Sequence, residues 1–258
     1  MNLRFVLRGL LLALPLALLL LAAGVWLKTP WARVPDPTPP PPTILAPAGP
    51  LPSGPVGLRE YARYRGEDYI PVGSGFFLLL DSGDVVGVTA AHTVTLDDPQ
   101  HPLMSIALGV AGSDRFFGEF DTLRGAPGRL LTVSDMTVDY LLLAVDVPIE
   151  LQMLLRPDAR GGPQPGERVW LASGRDDRRL LEGTVQSATG TAVWVLMDEP
   201  FDPAQMSGSP LVSQHTGRAV GMALAASPRR GRLLIGAHPI GSLVHLAEAA
   251  DDYLRLGR

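Results

Sequence analysis

The sequence predicts an all-β domain, a barrel or sandwich closed by one C-terminal helix, carried behind an apolar N-terminal segment and a proline-rich linker. Three observations lead there. From Val56 onward the apolar residues fall in short stretches, among them Gly75–Leu80, Asp84–Thr89, Tyr140–Val145, Arg168–Ala172, Ala192–Met197 and Arg218–Ala223. Gly, Pro, Asp and Ser cluster between these stretches, which argues for strands in a barrel or sandwich rather than for βαβ units. Only Ile240–Leu256 carries apolar residues at helical spacing, through Leu243, Val244, Ala247, Ala250 and Leu254. Finally, 11 of the 25 prolines fall between Thr29 and Pro55, so this stretch obeys different rules from the rest.

Taken in order, the first element is the run Gly9–Leu27, which holds no charged residue and lies between Arg4 and Arg8 on one side and Lys28 on the other. At a rise of ~1.5 Å per residue such a run is about long enough to cross a hydrocarbon layer of ~30 Å. It reads as an uncleaved signal anchor over residues 1–28, with a cleaved signal peptide as the alternative, since Ala22, Ala23 and Gly24 offer only a weak cleavage site. Arg4 and Arg8 orient it with the rest of the chain outside the cytoplasmic membrane. A single-pass membrane protein, in contact with the lipid bilayer through residues 9–27 and with an extracytoplasmic domain, is the resulting expectation. Residues 29–55, with the run Pro39-Pro40-Pro41-Pro42, favour extended polyproline II and read as a stalk.

The 258 residues hold 22 Lys plus Arg against 26 Asp plus Glu, a net charge of −4. Four of the basic residues and Asp36 precede Val56, so residues 56–258 keep 18 basic and 25 acidic side chains, a net −7. That balance argues against nucleic acid as a partner. With 46% hydrophobic and 19% charged residues the chain is too apolar to be disordered. The absence of Cys removes disulfides, thiolate nucleophiles and Cys-ligated zinc together, which leaves a hydroxyl, an amine or a carboxylate as nucleophile.

Three places carry chemistry. Val88-Thr89-Ala90-Ala91-His92 ends a strand on an imidazole backed by small residues. Val138-Asp139-Tyr140-Leu141-Leu142-Leu143 opens an apolar strand with a carboxylate that is costly to bury without a partner. Met206-Ser207-Gly208-Ser209-Pro210-Leu211 sets a Ser at the apex of a tight turn, where Gly208 permits close approach. On each segment alone the plain alternative, a surface His, a strand-end acid or a turn Ser, remains open.

In the order His, Asp, Ser, at spacings of 47 and 68 residues, the three together resemble the chymotrypsin/trypsin-like serine peptidases of the bacterial, disulfide-free type, over roughly residues 70–245. Thr89-Ala90-Ala91-His92 is similar to the family's Thr/Ser-Ala-Ala-His, Ser207-Gly208-Ser209-Pro210 to its Ser-Gly-Gly/Ser-Pro, and Asp139 to the Asp that opens its Asp-Ile-Ala-Leu-Leu strand. The resemblance implies two antiparallel six-stranded β-barrels, at about 56–155 and 165–240, and a helix at about 241–256. It implies a serine endopeptidase acting on polypeptides, with Ser207 as nucleophile, His92 as base and Asp139 as its orienting carboxylate, and with neither cofactor nor metal. Asp135 and Asp146 are rival carboxylates, and His101, His215, His238 and His245 are read as structural or exposed.

The resemblance also places the oxyanion hole at the N–H groups of Gln205 and Ser207, and here the sequence departs from the family, which has Gly where Gln205 stands. Gln adopts a glycine conformation only with strain, so the alternative to an active peptidase is a protease-fold binding or scaffold module with an unformed oxyanion hole. Met206 replaces the family's Asp or Asn, which removes activation by pairing with a newly cut N-terminus. Phe201, Leu224, Ala225 and Ala226 are the expected lining of the substrate pocket, and with no acid at the Phe201 position they suit small or medium apolar side chains.

Overall fold

The structure is a computed structural model, which describes residues 54–112, 115–129, 135–175 and 179–257. The expected anchor, and the stalk as far as residue 53, lie outside the described residues. The elements are β1 (Leu58–Tyr64), β2 (Ile70–Leu79), β3 (Val85–Thr89), β4 (Leu103–Gly109), β5 (Phe116–Phe120), β6 (Thr122–Arg124), β7 (Leu141–Ala144), β8 (Leu154–Leu155), β9 (Arg168–Ala172), β10 (Leu180–Ala188), β11 (Val193–Met197), β12 (Pro210–Ser213), β13 (Ala219–Arg229), β14 (Arg232–Pro239), α1 (Ile240–Ala249) and β15 (Tyr253–Arg255). The chain is all-β with one C-terminal helix among these residues, as its short apolar stretches predict.

The second half closes into a six-stranded barrel in the order β10-β11-β14-β13-β12-β9, with β9 pairing back onto β10. Alternate side chains of each strand point inward, so Val169 and Leu171 of β9, Val193, Val195 and Met197 of β11, and Leu233, Ile235 and Ala237 of β14 share one buried cluster. The first half differs from the expected closed six-stranded barrel. It is a nine-stranded sheet in the order β15-β6-β7-β3-β2-β1-β4-β5, with β8 added in parallel to β2, and it forms a half-barrel. The reason lies at Asp121, the single residue between β5 and β6. Here the chain passes from the edge strand β5 to β6, which lies next to the opposite edge strand β15, and among the described residues no strand pairing joins β5 to β15 or β6. Its interior is filled by Leu58, Phe77, Ile106, Leu108, Phe120, Leu123, Leu141 and Leu143. Phe77 and Phe120 meet edge to face at 6.1 Å, and each buried ring contributes about 1.5–3 kcal/mol of transfer free energy.

The C-terminal helix is also shorter than the apolar periodicity suggests. It ends at Ala249, and residues 253–255 form a strand on the free edge of β6, pairing Leu254 with Leu123. Gly125 and Leu256 donate backbone N–H groups to Asp252 and Asp121 across this seam at 2.7 Å. Leu254 fits a helical stripe, but the unpaired donors and acceptors of an edge strand outweigh that local preference. The two halves meet where the loop before β12 crosses β2: Ser74 donates its N–H to the carbonyl of Ser207 at 2.8 Å.

Candidate active site

The site is assembled from both halves. β3 runs through Val86, Val88 and Thr89, all buried, into a 3-10 turn at Ala91–Thr93 that carries His92. The small side chains of Ala90 and Ala91 let the turn sit close to the sheet. Thr93 anchors it by donating its hydroxyl to the Ala90 carbonyl at 2.7 Å. A second 3-10 turn, Met136–Val138, delivers Asp139, and Asp135 caps it by accepting the N–H of Thr137 at 2.9 Å. Ser207 stands in the loop between β11 and β12.

His92, Asp139 and Ser207 come together. His92 Nδ1 lies 2.6 Å from Asp139 Oδ2, and His92 Nε2 lies 2.8 Å from Ser207 Oγ. The main-chain N–H of His92 donates to Asp139 Oδ1 at 3.1 Å, so both carboxylate oxygens serve the same residue. Asp139 is fully buried while the His92 side chain keeps 27% exposure. A buried carboxylate with two donors can hold the ring in one orientation, and the open face of the ring leaves access for a reacting group. The rivals fall away: Asp135 is used as a cap, and Asp146 is exposed beyond β7.

The loop bearing Ser207 is held on three sides. Gly208 takes φ 89°, its N–H donates to Ala223 O at 2.8 Å, and a Cβ added to it would stand 1.8 Å from the Ser74 carbonyl oxygen. Ser74 Oγ donates to the Gln205 carbonyl at 2.8 Å. Met206 fills the core of the second barrel, 3% exposed, and receives a contact from Ser173 Oγ at 3.6 Å on its sulfur. Apolar burial thus holds this position. Gln205 has φ 61°, in the left-handed region that favours glycine. Among the described residues no acceptor takes the N–H of Gln205 or of Ser207.

Beside this loop, β13 carries a bulge at Leu224, where its pairing with β14 skips a residue. The Leu224 carbonyl lies 3.4 Å from Ser207 Oγ. Leu224 is buried, Ala225 and Ala226 are half-exposed, and Phe201 packs with Ala226 against the core of the second barrel. Arg229 and Arg232 flank the two-residue turn of the β13–β14 hairpin, so by alternation Ala226 turns its N–H and C=O away from β14. Pro228 faces the same way and has no N–H to offer, which ends the pairing capacity of this edge.

His238 is fully buried, with its ring nitrogens 3.0 Å from the Pro239 carbonyl and 3.1 Å from that of Thr137, and with Tyr140 edge-on at 6.0 Å. Burial pulls its pKa below the ordinary histidine value, against the raising effect of the two carbonyls. It braces the turn that carries Asp139. His101 and His245 are exposed, and His215 lies in the Ser213–Gly217 turn. The motif reading gave no role to two residues of the site region: Ser74, and Glu60, a carboxyl with no exposed surface. The alternation Leu58, Glu60, Ala62 on one strand face is the signal that marks Glu60 as core-facing.

No family model and no curated protein matches this chain. Solved structures do. The fold is similar to that of a serine endoprotease from Yersinia pestis, at 18% identity over 75% of this chain and 62% of that one, with a TM-score of 0.51. It is similar to an HtrA-type protease, AlgW with a decapeptide, at 14% identity over 76% and 64% of the two chains and a TM-score of 0.51. Kallikrein-related peptidase 10 in complex with Zn2+ matches at 18% identity, 78% and 96% coverage and a TM-score of 0.52. The chain spans less than two thirds of the length of the first two. What these likenesses share with this chain is the fold, that of the chymotrypsin/trypsin-like serine peptidases, built here from a chain with no cysteine.

Proposed function

We propose that the protein is a serine endopeptidase in which Ser207, His92 and Asp139 cleave peptide bonds of extended polypeptides. The observation that carries this reading is the unbroken series Asp139 Oδ2 to His92 Nδ1 at 2.6 Å and His92 Nε2 to Ser207 Oγ at 2.8 Å. Ser207 Oγ attacks the scissile carbonyl carbon while its proton passes to His92 Nε2. Asp139 stabilises the imidazolium, and the N–H groups of Gln205 and Ser207 receive the charge that develops on the carbonyl oxygen. Collapse of the tetrahedral adduct sends the proton from His92 to the leaving amine, and water repeats the sequence to free the acyl group. Gln205 at φ 61° supports this reading, because the backbone there takes a shape that glycine would take. The outward N–H and C=O of Ala226 supply a strand edge for an extended substrate, and the alanines beside it favour small or medium apolar side chains next to the cut. The decapeptide of AlgW is consistent with a polypeptide substrate here.

A fluorophosphonate probe tests the chemistry. The full chain is expected to be labelled and Ser207→Ala not; a folded wild-type sample that takes no label overturns the reading in favour of a binding module. Faster cleavage of arginyl than of alanyl or valyl peptides overturns the specificity. Residues 9–27 are proposed to hold this domain on the outer side of the cytoplasmic membrane, so a chain lacking residues 1–28 should leave the membrane fraction.

A further inference from the structure

Glu60 lies inside the first sheet, beneath the turn that carries His92. It stands on β1 opposite Gly73 of β2 and Leu108 of β4. Its Oε2 is 2.8 Å from Thr89 Oγ1, at the end of β3, and its Oε1 is 3.2 Å from Thr93 Oγ1, at the end of the turn. The two threonines therefore bracket Ala90, Ala91 and His92. Each hydroxyl has one proton and a second neighbour that can only accept: Thr89 Oγ1 is 2.8 Å from the Ser74 carbonyl, and Thr93 Oγ1 is 2.7 Å from that of Ala90. Once Thr89 gives its proton to Ser74, its lone pairs face Glu60 Oε2. That contact is attractive only if the carboxyl carries a proton.

We propose that Glu60 is a neutral carboxylic acid which donates to Thr89 and, through Ser74, holds the Ser207 loop, and that loss of this proton loosens the loop. Ser74 is the shared member of the chain. Its carbonyl takes the Thr89 proton, its N–H holds Ser207 O at 2.8 Å, and its Oγ holds Gln205 O at 2.8 Å. An ionised Glu60 draws the hydroxyl protons of Thr89 and Thr93 to itself and strips the Ser74 carbonyl of its donor. Among the described residues no charged side chain on a neighbouring element relieves the group: it meets Thr89 from β3, Thr93 from the turn, Gly73 from β2 and Leu108 from β4, while the one titratable ring of the turn, His92, is turned to Asp139 and Ser207. Burial pushes the carboxyl up to about 8, against the lowering effect of the two threonine hydroxyls. Glu60 is thus a positioning residue, and its effect on catalysis rests on the peptidase reading above.

Glu60→Gln provides the test, because an amide offers the same donor and does not titrate. Hydrogen exchange of the 205–208 segment in the full-length protein is followed from about pH 6 to about pH 9.5, wild type against variant at each pH, so that the intrinsic pH dependence of exchange cancels. The expected result is equal exchange at the acid end and exchange faster by about tenfold in the wild type at the alkaline end, with fluorophosphonate labelling of the wild type falling over the same interval. A wild-type-to-variant ratio that stays constant overturns the proposal. Divergent exchange without labelling of either chain supports the coupling and removes the peptidase reading. Should Glu60→Gln not fold, carboxyl-carbon NMR of the wild type decides: one glutamate that stays protonated above about pH 7 supports the proposal, and titration of every glutamate below about pH 6 overturns it.

Discussion

Asp139→Asn isolates the role of the carboxylate without changing its volume. In the wild type, Asp139 Oδ1 accepts the main-chain N–H of His92 at 3.1 Å and Oδ2 faces Nδ1 at 2.6 Å. A main-chain N–H can only donate, so an asparagine places its carbonyl oxygen there and turns its NH2 to the ring. Nδ1 must then present a lone pair, and the ring proton moves to Nε2, the atom 2.8 Å from Ser207 Oγ. A protonated Nε2 cannot take the serine proton. Loss of the productive tautomer lowers the rate by about 10⁴, or about 5 kcal/mol in the barrier. The fold should barely change, because the amide keeps one bond and exchanges the other. The assay is the second-order rate of fluorophosphonate labelling beside a thermal melt. Labelling within about tenfold of the wild type, with an unchanged melt, would refute the tautomer argument.

Three further outcomes follow from the packing and the charges. Gly208→Ala forces a Cβ to 1.8 Å from the Ser74 carbonyl oxygen at φ 89°, and should cost about 3 kcal/mol or more in stability, read by urea denaturation; a loss under about 1 kcal/mol would mean that Ser74 is free to move. Arg160→Met leaves Asp158 and Glu167, 1% and 0% exposed, without the guanidinium that sits 2.6 and 2.8 Å from them, and should cost about 3–5 kcal/mol at neutral pH. Burial acts to raise both carboxyls, yet the Arg160 bonds bring them below the ordinary range, so the stability they provide exists above that range and fades as pH falls through their lowered values. Glu60 has the opposite sign. A folded value of about 8 against 4.5 means that the folded state binds the proton more tightly, so stability relative to Glu60→Gln is greatest below pH 4.5, declines as pH rises to about 8 and then levels off. At ~1.4 kcal/mol per pH unit the whole decline is about 5 kcal/mol, and parallel melts of the two chains across that range measure it.

Ser207, His92 and Asp139 could be singled out by their neighbours in the chain: small residues before His92, an apolar strand after Asp139, a glycine after Ser207. The short apolar stretches and the lack of cysteine were equally legible, because they depend on local spacing and on composition. Glu60 and Ser74 were not legible as partners, since the bonds that join them to Thr89, Gln205 and Ser207 reach across the chain as far as from Ser74 to Ser207.

The amino-acid order by itself determined the all-β class and the three residues that could share one reaction, because side-chain spacing and turn chemistry are properties of neighbours. Tertiary structure alone decided that the first sheet stays open at its edges, that residues 253–255 leave the helical pattern to pair with β6, and that a buried acid underlies the His92 turn. Those outcomes depend on which distant backbone edge needs a partner and on which carbonyls compete for one hydroxyl proton, and such competitions exist only once the chain is folded.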